Sequence, residues 1–363
     1  MSEKPIKGEK RAFLTGNEVV AWAAVAAKAD IMYGYPITPQ NEIMHYWTRM
    51  APKFDKKFLQ TEDELSAGFT TNGGVLAGLK SFTATAGPGN TLMQEPLSMA
   101  EMMRLPTVTI IQQRGGPSTA TVIYGQQEVT MTTRGGNGEG LRIVYSTATH
   151  QDLFDYTIKA FNSAWKYRFP TFVLGDGYQA KMREPVTIYD PEERGLELVP
   201  ACKFVGKPGV PGVDRPPTQL RNCYNLEEEL YDVLIEQIAE YEKISPEIAE
   251  CEQYGCEDAE IIVVSHGVVS RAVKGAIKDL REEGQKAGYF RPITLRPLPV
   301  KEIREVFSKV KKVLVAESSN GQFDQLIKYA AYGITTEIIP LFKPGMGITS
   351  EEVCAKVKEI LEG

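Results

Sequence analysis

The sequence predicts an α/β fold with two doubly wound parallel-sheet domains, of which the second is the smaller. Short runs rich in Val, Ile, Thr and aromatic residues alternate with segments that have the spacing of helices. A Pro- and Gly-rich stretch interrupts this alternation, which resumes near Asp258. We therefore expect one domain at residues 1–200, a linker with a bridging helix at 201–245, and a second domain at 246–363.

The first domain is predicted to start with a buried Ala- and Val-rich helix over residues 18–28, capped by Asn17. The elements that follow are a strand at 31–35, a helix at 62–79, strands at 81–86 and 107–112, a helix at 150–167 and a strand at 169–174. Because strands alternate with helices, we expect a parallel sheet that is covered on both faces.

The linker is predicted from the Pro and Gly residues at 203–222, which cannot continue a helix or a central strand. A charged amphipathic helix over 226–243 follows, and we expect it to bridge the two domains. The second domain is predicted to contain a strand at 261–265, a crossover helix at 268–283, strands at 289–295 and 313–317, and helices at 322–332 and 350–361.

The charge pattern argues against nucleic acid and membranes as partners. The formal net charge is −6, and no long basic run occurs. No apolar stretch approaches the ~20 residues that a membrane-spanning helix needs. The polar and charged residues 1–11 do not resemble a signal peptide. We expect a cytoplasmic protein without a membrane span.

The five cysteines and three histidines do not have the spacing of a metal site. No two cysteines form a CxxC pair, and only Cys251 and Cys256 lie close together. An iron–sulfur cluster needs four thiolates at characteristic spacing, and a zinc site needs clustered Cys or His ligands. We therefore expect free thiols in a reducing cytosol and no metal site in this chain.

Four short segments of the first domain could carry chemistry, each at or near the end of a predicted strand, where open parallel sheets bind ligands. In the first, Pro36 and Pro39 bracket Ile37 and Thr38 on a stiff loop, although an ordinary turn would have the same residues. In the second, three acids stand at a helix start, where solvated acids are common. A functional Glu64 would need the small apolar helix after it to raise its proton affinity.

The third segment contains Gly87, Pro88 and Gly89. The glycines let a backbone approach a ligand and the next helix offers free N–H groups, although a plain turn is the alternative. No Gly-Lys-Ser/Thr follows, so this is not a Walker A loop. The fourth segment places Arg114 beside two glycines at a strand end, where it could bind a carboxylate bidentately or form a surface salt bridge.

Together these segments resemble the α subunits of the 2-oxoacid:ferredoxin oxidoreductases. The matching runs are YPITPQNEIM, QTEDELSAG, TATAGPGNTLMQE and QQRGGPST in the first domain, and GYFRPITLRPLP and AESSNGQ in the second. Each run alone is a weak signal, whereas the ordered set from residue 16 to residue 322 is specific. The resemblance implies a pyrimidine-binding thiamine-diphosphate fold followed by a transketolase-C-terminal-like domain.

The resemblance also implies a chemistry and a set of partners. The family decarboxylates a 2-oxoacid on thiamine diphosphate, sends electrons through iron–sulfur clusters to ferredoxin, and releases the acyl group on coenzyme A. A β subunit would hold the diphosphate, Mg²⁺ and a [4Fe–4S] cluster, and a γ subunit, often with a ferredoxin-like one, would complete the enzyme. Gly175-Asp176-Gly177 looks like a thiamine magnesium motif, but residues 195–221 contain no Asn to complete it, so we interpret it as a turn.

Carried over by motif position, the resemblance gives each segment a role. Glu64 would pair with the N1′ atom of the cofactor's pyrimidine ring. Thr38 and Arg114 would hold the carboxylate and keto group of the substrate. The wall near the cofactor would be formed by Pro36, Ile37, Gly87, Pro88 and Gly89.

The substrate pocket departs from the commonest pattern of the family. Members of the 2-oxoglutarate type usually have a Lys where this chain has Tyr124, and here Val122 and Ile123 precede it. Without that positive charge, a second substrate carboxylate is less well accommodated. A branched or aromatic 2-oxoacid is therefore favoured, while 2-oxoglutarate stays open. The Gly-rich residues 134–140 either line the mouth of the active site or turn between strands.

Two other functions are compatible with the same residues. One is a subunit of a non-redox thiamine enzyme of the transketolase or decarboxylase type, and the other is a non-catalytic scaffold subunit. The sequence leaves open which 2-oxoacid is used, the stoichiometry of the complex and the physiological electron acceptor.

Overall fold

Strands and helices alternate along the chain in a computed structural model, which describes residue 6 and residues 8–206 and 220–362. The strands are β1 (Lys10–Thr15), β2 (Ile31–Gly34), β3 (Lys57–Gln60), β4 (Ser81–Thr85), β5 (Val108–Gln113), β6 (Ile143–Ser146), β7 (Thr171–Asp176), β8 (Arg183–Ile188), β9 (Cys251–Tyr254), β10 (Ile261–Val264), β11 (Ala287–Pro292), β12 (Thr294–Arg296), β13 (Lys312–Glu317) and β14 (Glu337–Phe342).

The helices are α1 (Gly16–Ala26), α2 (Asn41–Met50), α3 (Glu64–Leu76), α4 (Pro88–Leu92), α5 (Gln94–Met102), α6 (Val129–Arg134), α7 (His150–Tyr167), α8 (Gly177–Lys181), α9 (Glu227–Ile248), α10 (Val269–Glu282), α11 (Val300–Phe307), α12 (Gln322–Ala330) and α13 (Ser350–Glu362). Two short 3₁₀ helices cover Ala51–Phe54 and Pro191–Arg194. The middle of the predicted linker, residues 207–219, lies outside the described residues.

A seven-stranded sheet forms the centre of the first domain, in the order β12-β6-β7-β5-β4-β2-β3. Its neighbouring strands are parallel except β12, which runs antiparallel to β6. Helices α1, α2 and α7 bury apolar side chains against one face. On the other face, α3 and α5 contribute to a core that continues into the second domain. The predicted two-sided parallel sheet is confirmed.

A five-stranded sheet forms the second domain, in the order β14-β13-β10-β11-β9. All its pairs are parallel except the pair of β9 with β11. Helices α10 and α13 pack together on one face, while α11 and α12 lie on the side that joins the core shared with the first domain. The predicted fold class, two doubly wound sheets, is therefore confirmed.

The strand predicted at residues 289–295 is wrong in one respect, because it is two strands in two sheets. β11 ends at Pro292 in the second sheet, and β12 begins at Thr294 on the edge of the first. Between them, the Ile293 carbonyl accepts a hydrogen bond from Ser146 N at 2.7 Å. Both halves are apolar and extended, so their spacing gave no sign that the chain changes sheets.

The cap predicted for the first helix is also wrong. The helix is capped by Thr15, whose hydroxyl accepts a hydrogen bond from Glu18 N at 3.3 Å. Asn17 lies inside α1 and is buried, where its side-chain amide donates to Pro39 O at 2.7 Å. Asn17 therefore holds a loop of the candidate site rather than the helix end.

The bridging helix is longer than the predicted 226–243, since α9 covers Glu227–Ile248. Tyr241 is buried and donates its hydroxyl hydrogen bond to Arg142 O at 2.6 Å, which fastens the helix to the first domain. Within the described ranges, no helix combines the length and apolar character that crossing a lipid bilayer requires.

Candidate active site

Four adjacent parallel strands, β3, β2, β4 and β5, end at one edge of the large sheet. Glu64 follows β3, Thr38 follows β2, Gly87 follows β4 and Arg114 follows β5. Because parallel strands present their carboxyl ends on the same side, the fold brings the four predicted segments together. The sequence order of the motifs thus becomes a spatial neighbourhood.

Glu64 is the first residue of α3, and only 5% of it is exposed. Asp63 caps the helix by accepting a hydrogen bond from Ser66 N at 2.7 Å. Burial raises the pKa of Glu64 above its ordinary value, and its own N–H and the Arg114 guanidinium oppose this only in part. No other described residue donates a hydrogen bond to this carboxyl group. It is therefore a buried acid whose oxygens are available to a ligand.

The loop of Gly87, Pro88 and Gly89 lies against both charged side chains. Gly87 has a φ of +53°, a left-handed conformation that side chains other than hydrogen disfavour. A methyl group at position 87 would lie 2.5 Å from Arg114 Nε, and one at position 89 would lie 2.5 Å from Glu64 Oε1. The glycines thus allow the backbone to touch both groups, and Pro88 starts α4 where its missing N–H is not needed.

Arg114 is 4% exposed and joins two loops of the site. Its Nη1 donates to Thr38 O at 2.7 Å, while its Nε is buried without a partner among the described residues. No carboxylate in this part of the chain forms an ion pair with it, so the surface salt bridge considered from the sequence is wrong. A buried guanidinium with a free N–H suits an anionic ligand.

Two side chains fix the loop after β2 by hydrogen bonds to its carbonyl groups. Asn17 donates to the Pro39 carbonyl at 2.7 Å, and Gln40 donates to the Tyr35 carbonyl at 2.9 Å. Ile37 and Thr38 are half-buried next to the site, whereas Pro36 is exposed. The Thr38 carbonyl accepts from Arg114 Nη1, and no described residue forms a hydrogen bond with the Thr38 hydroxyl.

Glu128 is a site residue that sequence reasoning missed. It is 4% exposed, and its carboxylate accepts hydrogen bonds from Gly87 N (2.8 Å), Asn90 Nδ2 (3.1 Å) and Arg114 N (3.0 Å). One side chain therefore ties the loop after β4 to the loop after β5. Burial raises the pKa of Glu128 to about 7, against the three donors. A lone Glu in a Gln-rich loop offers no periodic signal that could have revealed this role.

Tyr124, which stands where a Lys was expected for a member of the 2-oxoglutarate type, stacks on Tyr178 with ring centroids 5.5 Å apart. The loop before it folds back, so that a methyl group at Gly115 would lie 3.2 Å from the Tyr124 carbonyl oxygen. Tyr124 is 40% exposed at the end of the sheet beside the Arg114 loop. The position where a Lys was expected for the 2-oxoglutarate type therefore carries an exposed aromatic ring.

The Gly175-Asp176-Gly177 run forms a strand end and a helix cap rather than the turn predicted from the sequence. Asp176 ends β7 and accepts a hydrogen bond from Gln179 N at 2.9 Å. Burial raises the pKa of this carboxyl group to about 6. Its oxygens are engaged with backbone N–H groups, which leaves them poorly placed for a metal ion.

Comparison with known proteins identifies the class and then the family. Residues 22–253 match the family model of the thiamine-diphosphate-binding domain of pyruvate flavodoxin/ferredoxin oxidoreductases, and residues 259–349 match core domain II of pyruvate:ferredoxin oxidoreductase. Fold and site thus define a thiamine-diphosphate-binding α/β protein. The chain belongs to the 2-oxoacid:ferredoxin oxidoreductase family and resembles its α subunits, which confirms the family predicted from the motifs.

Relatives with two different substrate names are similar to this chain. It is 36% identical to the 2-oxoglutarate synthase subunit KorA of Methanocaldococcus jannaschii over 85% of this chain and 89% of that protein. It is 32% identical to the ketoisovalerate oxidoreductase subunit VorB of Methanothermobacter marburgensis over 95% of this chain and 96% of that protein.

Solved structures agree with the fold. The 2-oxoglutarate:ferredoxin oxidoreductase of Magnetococcus marinus, solved with 2-oxoglutarate, coenzyme A and succinyl-CoA, superimposes with a TM-score of 0.86 at 27% identity. The match covers 96% of this chain, which spans only 65% of that longer chain. A split-gene transketolase at 12% identity and a TM-score of 0.59 shares the fold alone.

The side chains present fit one half of thiamine diphosphate. The buried, unpartnered Glu64 carboxyl and the close Gly89 backbone suit an aminopyrimidine ring. For the diphosphate, the described residues contain no group of three or more His, Cys, Asp or Glu that could hold a metal ion. Asp176, the nearest equivalent of a magnesium ligand in sequence, caps α8 instead.

Proposed function

We propose that this chain is the α-type subunit of an enzyme that oxidatively decarboxylates a 2-oxoacid, passes the electrons to ferredoxin and releases an acyl-coenzyme A. Bound thiamine diphosphate supplies the nucleophile and the electron sink for decarboxylation. This chain contributes the pyrimidine-binding half of the site and the groups that bind the substrate.

The observation that carries the proposal is the carboxyl group of Glu64. It is buried, its pKa is raised by that burial, and no other described residue donates a hydrogen bond to it. Such a carboxyl group can hold a proton at pyrimidine N1′ and return it, which general acid–base catalysis requires. The backbone at Gly89 lies against the same carboxyl group and limits where the ring can sit.

We assign the substrate's carboxylate and keto group to Arg114 and Thr38. The free Nε of Arg114 and the hydroxyl of the half-buried Thr38 lie on two loops that the hydrogen bond from Arg114 to the Thr38 carbonyl joins. Because Tyr124 and its neighbours Val122 and Ile123 are uncharged, we propose a branched or aryl 2-oxoacid as the preferred substrate over 2-oxoglutarate.

We further propose that partner subunits complete the enzyme. A β subunit would hold the diphosphate, the Mg²⁺ ion and a [4Fe–4S] cluster, and a γ subunit with or without a ferredoxin-like one would join it. The engaged Asp176 and the free cysteines of this chain support that division. We place the enzyme in the cytoplasm, where such thiols stay reduced.

The test compares Glu64→Gln with Glu62→Gln in the complex reconstituted with its partner subunits. Glu62 is an exposed acid two residues away and changes the charge equally. We expect Glu64→Gln to slow 2-oxoacid- and coenzyme A-dependent viologen reduction by about 100-fold or more, the range of a lost general acid–base group, while Glu62→Gln leaves the rate unchanged.

Other outcomes separate the competing functions. Equal rates in both variants would support a scaffold subunit, and decarboxylation without viologen reduction would support a non-redox thiamine enzyme. Decarboxylation by the lone chain would contradict the divided site. A panel of 2-oxoisovalerate, phenylglyoxylate, 2-oxoglutarate and pyruvate, run with the wild-type complex, then ranks the substrates by kcat/KM.

A further inference from the structure

A cavity of about 650 Å³ lies at the β12 edge of the large sheet, away from the strands that carry the candidate active site. Helix α9, the 134–140 loop, β12 and the start of α11 surround it. Its apolar lining includes Leu141, Tyr241, Leu295, Leu298, Pro299 and Leu326. The volume is in the range of ~300–1,000 Å³ that small-molecule sites occupy.

Two guanidinium groups face this cavity, those of Arg134 and Arg296. Arg296 uses its Nε and Nη2 to donate to the Gly140 and Glu139 carbonyls at 2.7 and 3.0 Å, and lies 5.5 Å from the Tyr241 ring. Arg134 lies 5.7 Å from the ring of Tyr329. Neither guanidinium has a carboxylate within ion-pairing distance in the part of the chain that the structure describes.

Arg134 is exposed at this cavity, and its charge and that of Arg296 repel each other because no carboxylate of the described residues forms an ion pair with either. Burial lowers the pKa of Arg134, and the nearby Arg296 charge lowers it further. Glu139, Glu242 and Glu302 also line the cavity, yet none pairs with either arginine. Arg134 lies in the last turn of α6, where the helix dipole favours a cation. The dipole does not explain why Arg296 lines the same cavity.

Arg134 also has unused hydrogen-bonding capacity. It forms no hydrogen bond to any described residue, so all of its guanidinium donors are available. Tyr329, which its guanidinium overlies, is 74% exposed at the rim of the cavity. The cavity thus combines free cationic donors, an exposed aromatic ring and an apolar floor.

We propose that this cavity binds a small organic anion, with a carboxylate or phosphate group between Arg134 and Arg296 and an apolar or aromatic body on the leucine- and proline-lined floor. This site is separate from the one that performs the proposed reaction. It also gives the 134–140 loop a role that neither interpretation from the sequence included, since the loop carbonyls orient Arg296.

Isothermal titration of the full chain with phenyl phosphate tests the proposal, with benzyl alcohol as the uncharged probe. We expect saturable binding of one phenyl phosphate at this site and none of benzyl alcohol. Arg134→Gln should weaken it by about tenfold to a hundredfold, as the loss of a charged hydrogen-bond donor does. Arg134 makes no hydrogen bond that folding depends on, so the variant should keep its structure.

Two controls locate the binding. Arg49→Gln removes an exposed arginine from the last turn of α2, which matches the helix position of Arg134, and should leave binding unchanged. Arg114→Gln should also leave it unchanged, which excludes the candidate active site. Absence of saturable binding, an unchanged affinity in Arg134→Gln, or loss only in Arg114→Gln would overturn the proposal. So would failure of the assembled complex to bind the probe, because a partner subunit would then fill the cavity.

Discussion

Two buried glutamates in the candidate site differ in their hydrogen-bond partners and therefore in their roles. Glu64 has no hydrogen bond from another described residue and keeps its oxygens for a ligand. Glu128 is surrounded by three donors and orders the two loops beside it. Burial raises the pKa of both side chains, but only Glu64 keeps oxygens without a donor from another described residue, which is why we propose it as the acid–base group.

The raised pKa of Glu128 predicts a pH-dependent contribution to stability. Because its pKa rises from 4.5 to about 7 on folding, the folded chain keeps a proton that the unfolded chain releases. This contribution is present below pH 4.5 and is lost as pH rises towards 7, by up to about 3 kcal/mol. In urea unfolding, the free energy of unfolding of wild type should therefore fall relative to that of Glu128→Gln between pH 5 and pH 8.

The control for this prediction is Glu95→Gln, which changes an exposed acid in the same domain. Its stability difference from wild type should be the same at both pH values. If the difference for Glu128→Gln were also constant with pH, Glu128 would be ionised in the folded chain at pH 5, contrary to the environment described.

At the scale of elements, small residues decide how closely α3 approaches its neighbours. Gly68 faces α5, where an added methyl group would lie 2.8 Å from Pro96 Cβ. A methyl group at Gly74 would likewise collide with the Ser81 hydroxyl in β4. This close packing keeps the start of the helix, and with it Glu64, against the Gly87 loop. Composition predicted a buried small-residue helix, but only the fold shows which glycines are in contact.

Two alanine substitutions in α3 should have opposite effects. Gly68→Ala should destabilise the chain by about 1–3 kcal/mol, because the new methyl group has no space. At Gly73, in the same helix, an added methyl group would have no atom within 4 Å. Gly73→Ala should therefore stabilise the chain by about 0.4–1 kcal/mol, because alanine makes the unfolded chain less flexible. Urea midpoints of the two variants check this; equal shifts would mean that α5 moves away freely.

Helix ends and strand ends were predicted less well than the elements themselves. The helix at 150–167 was placed correctly because its apolar residues recur at helical spacing, and in the structure Thr149 and Asp152 form a capping box at its start. The cap of α1 was misplaced because Thr15 and Asn17 are both good capping residues, and the choice depends on Pro39, which is distant in sequence. A contact of that kind has no signature in the local sequence.

At the scale of the whole molecule, the two domains share one core and a set of buried hydrogen bonds. Apolar residues of both sheets belong to a single cluster, and β12 places a strand from beyond residue 246 on the edge of the first sheet. Gln126 accepts from Ser318 N at 2.9 Å and donates to His266 O at 2.8 Å. The domain boundaries at 200 and 246 stay a prediction, but the two parts are joined by packing rather than by the linker alone.

Gln126→Ala should weaken this junction. The substitution leaves the Ser318 N–H and the His266 carbonyl buried without partners, which should cost about 2–4 kcal/mol. We expect a lower urea midpoint and faster amide exchange in the peptide around residue 318. Gln325→Ala, at an exposed position of α12, is the matched control and should change neither quantity. Unchanged exchange in Gln126→Ala would show that apolar packing alone holds the domains.

The sequence by itself determined the fold class and the family and predicted the segments of the candidate site, because strand and helix periodicity and short motifs are local properties of the chain. Tertiary structure alone decided that Glu128 links two loops, that Asn17 supports a third, and that residues 294–296 join the other sheet. These features depend on contacts between residues far apart in sequence, formed only when parallel strands bring their ends together. The cavity that Arg134 and Arg296 line has the same origin, since the two residues are far apart in sequence and line one cavity only in the folded chain.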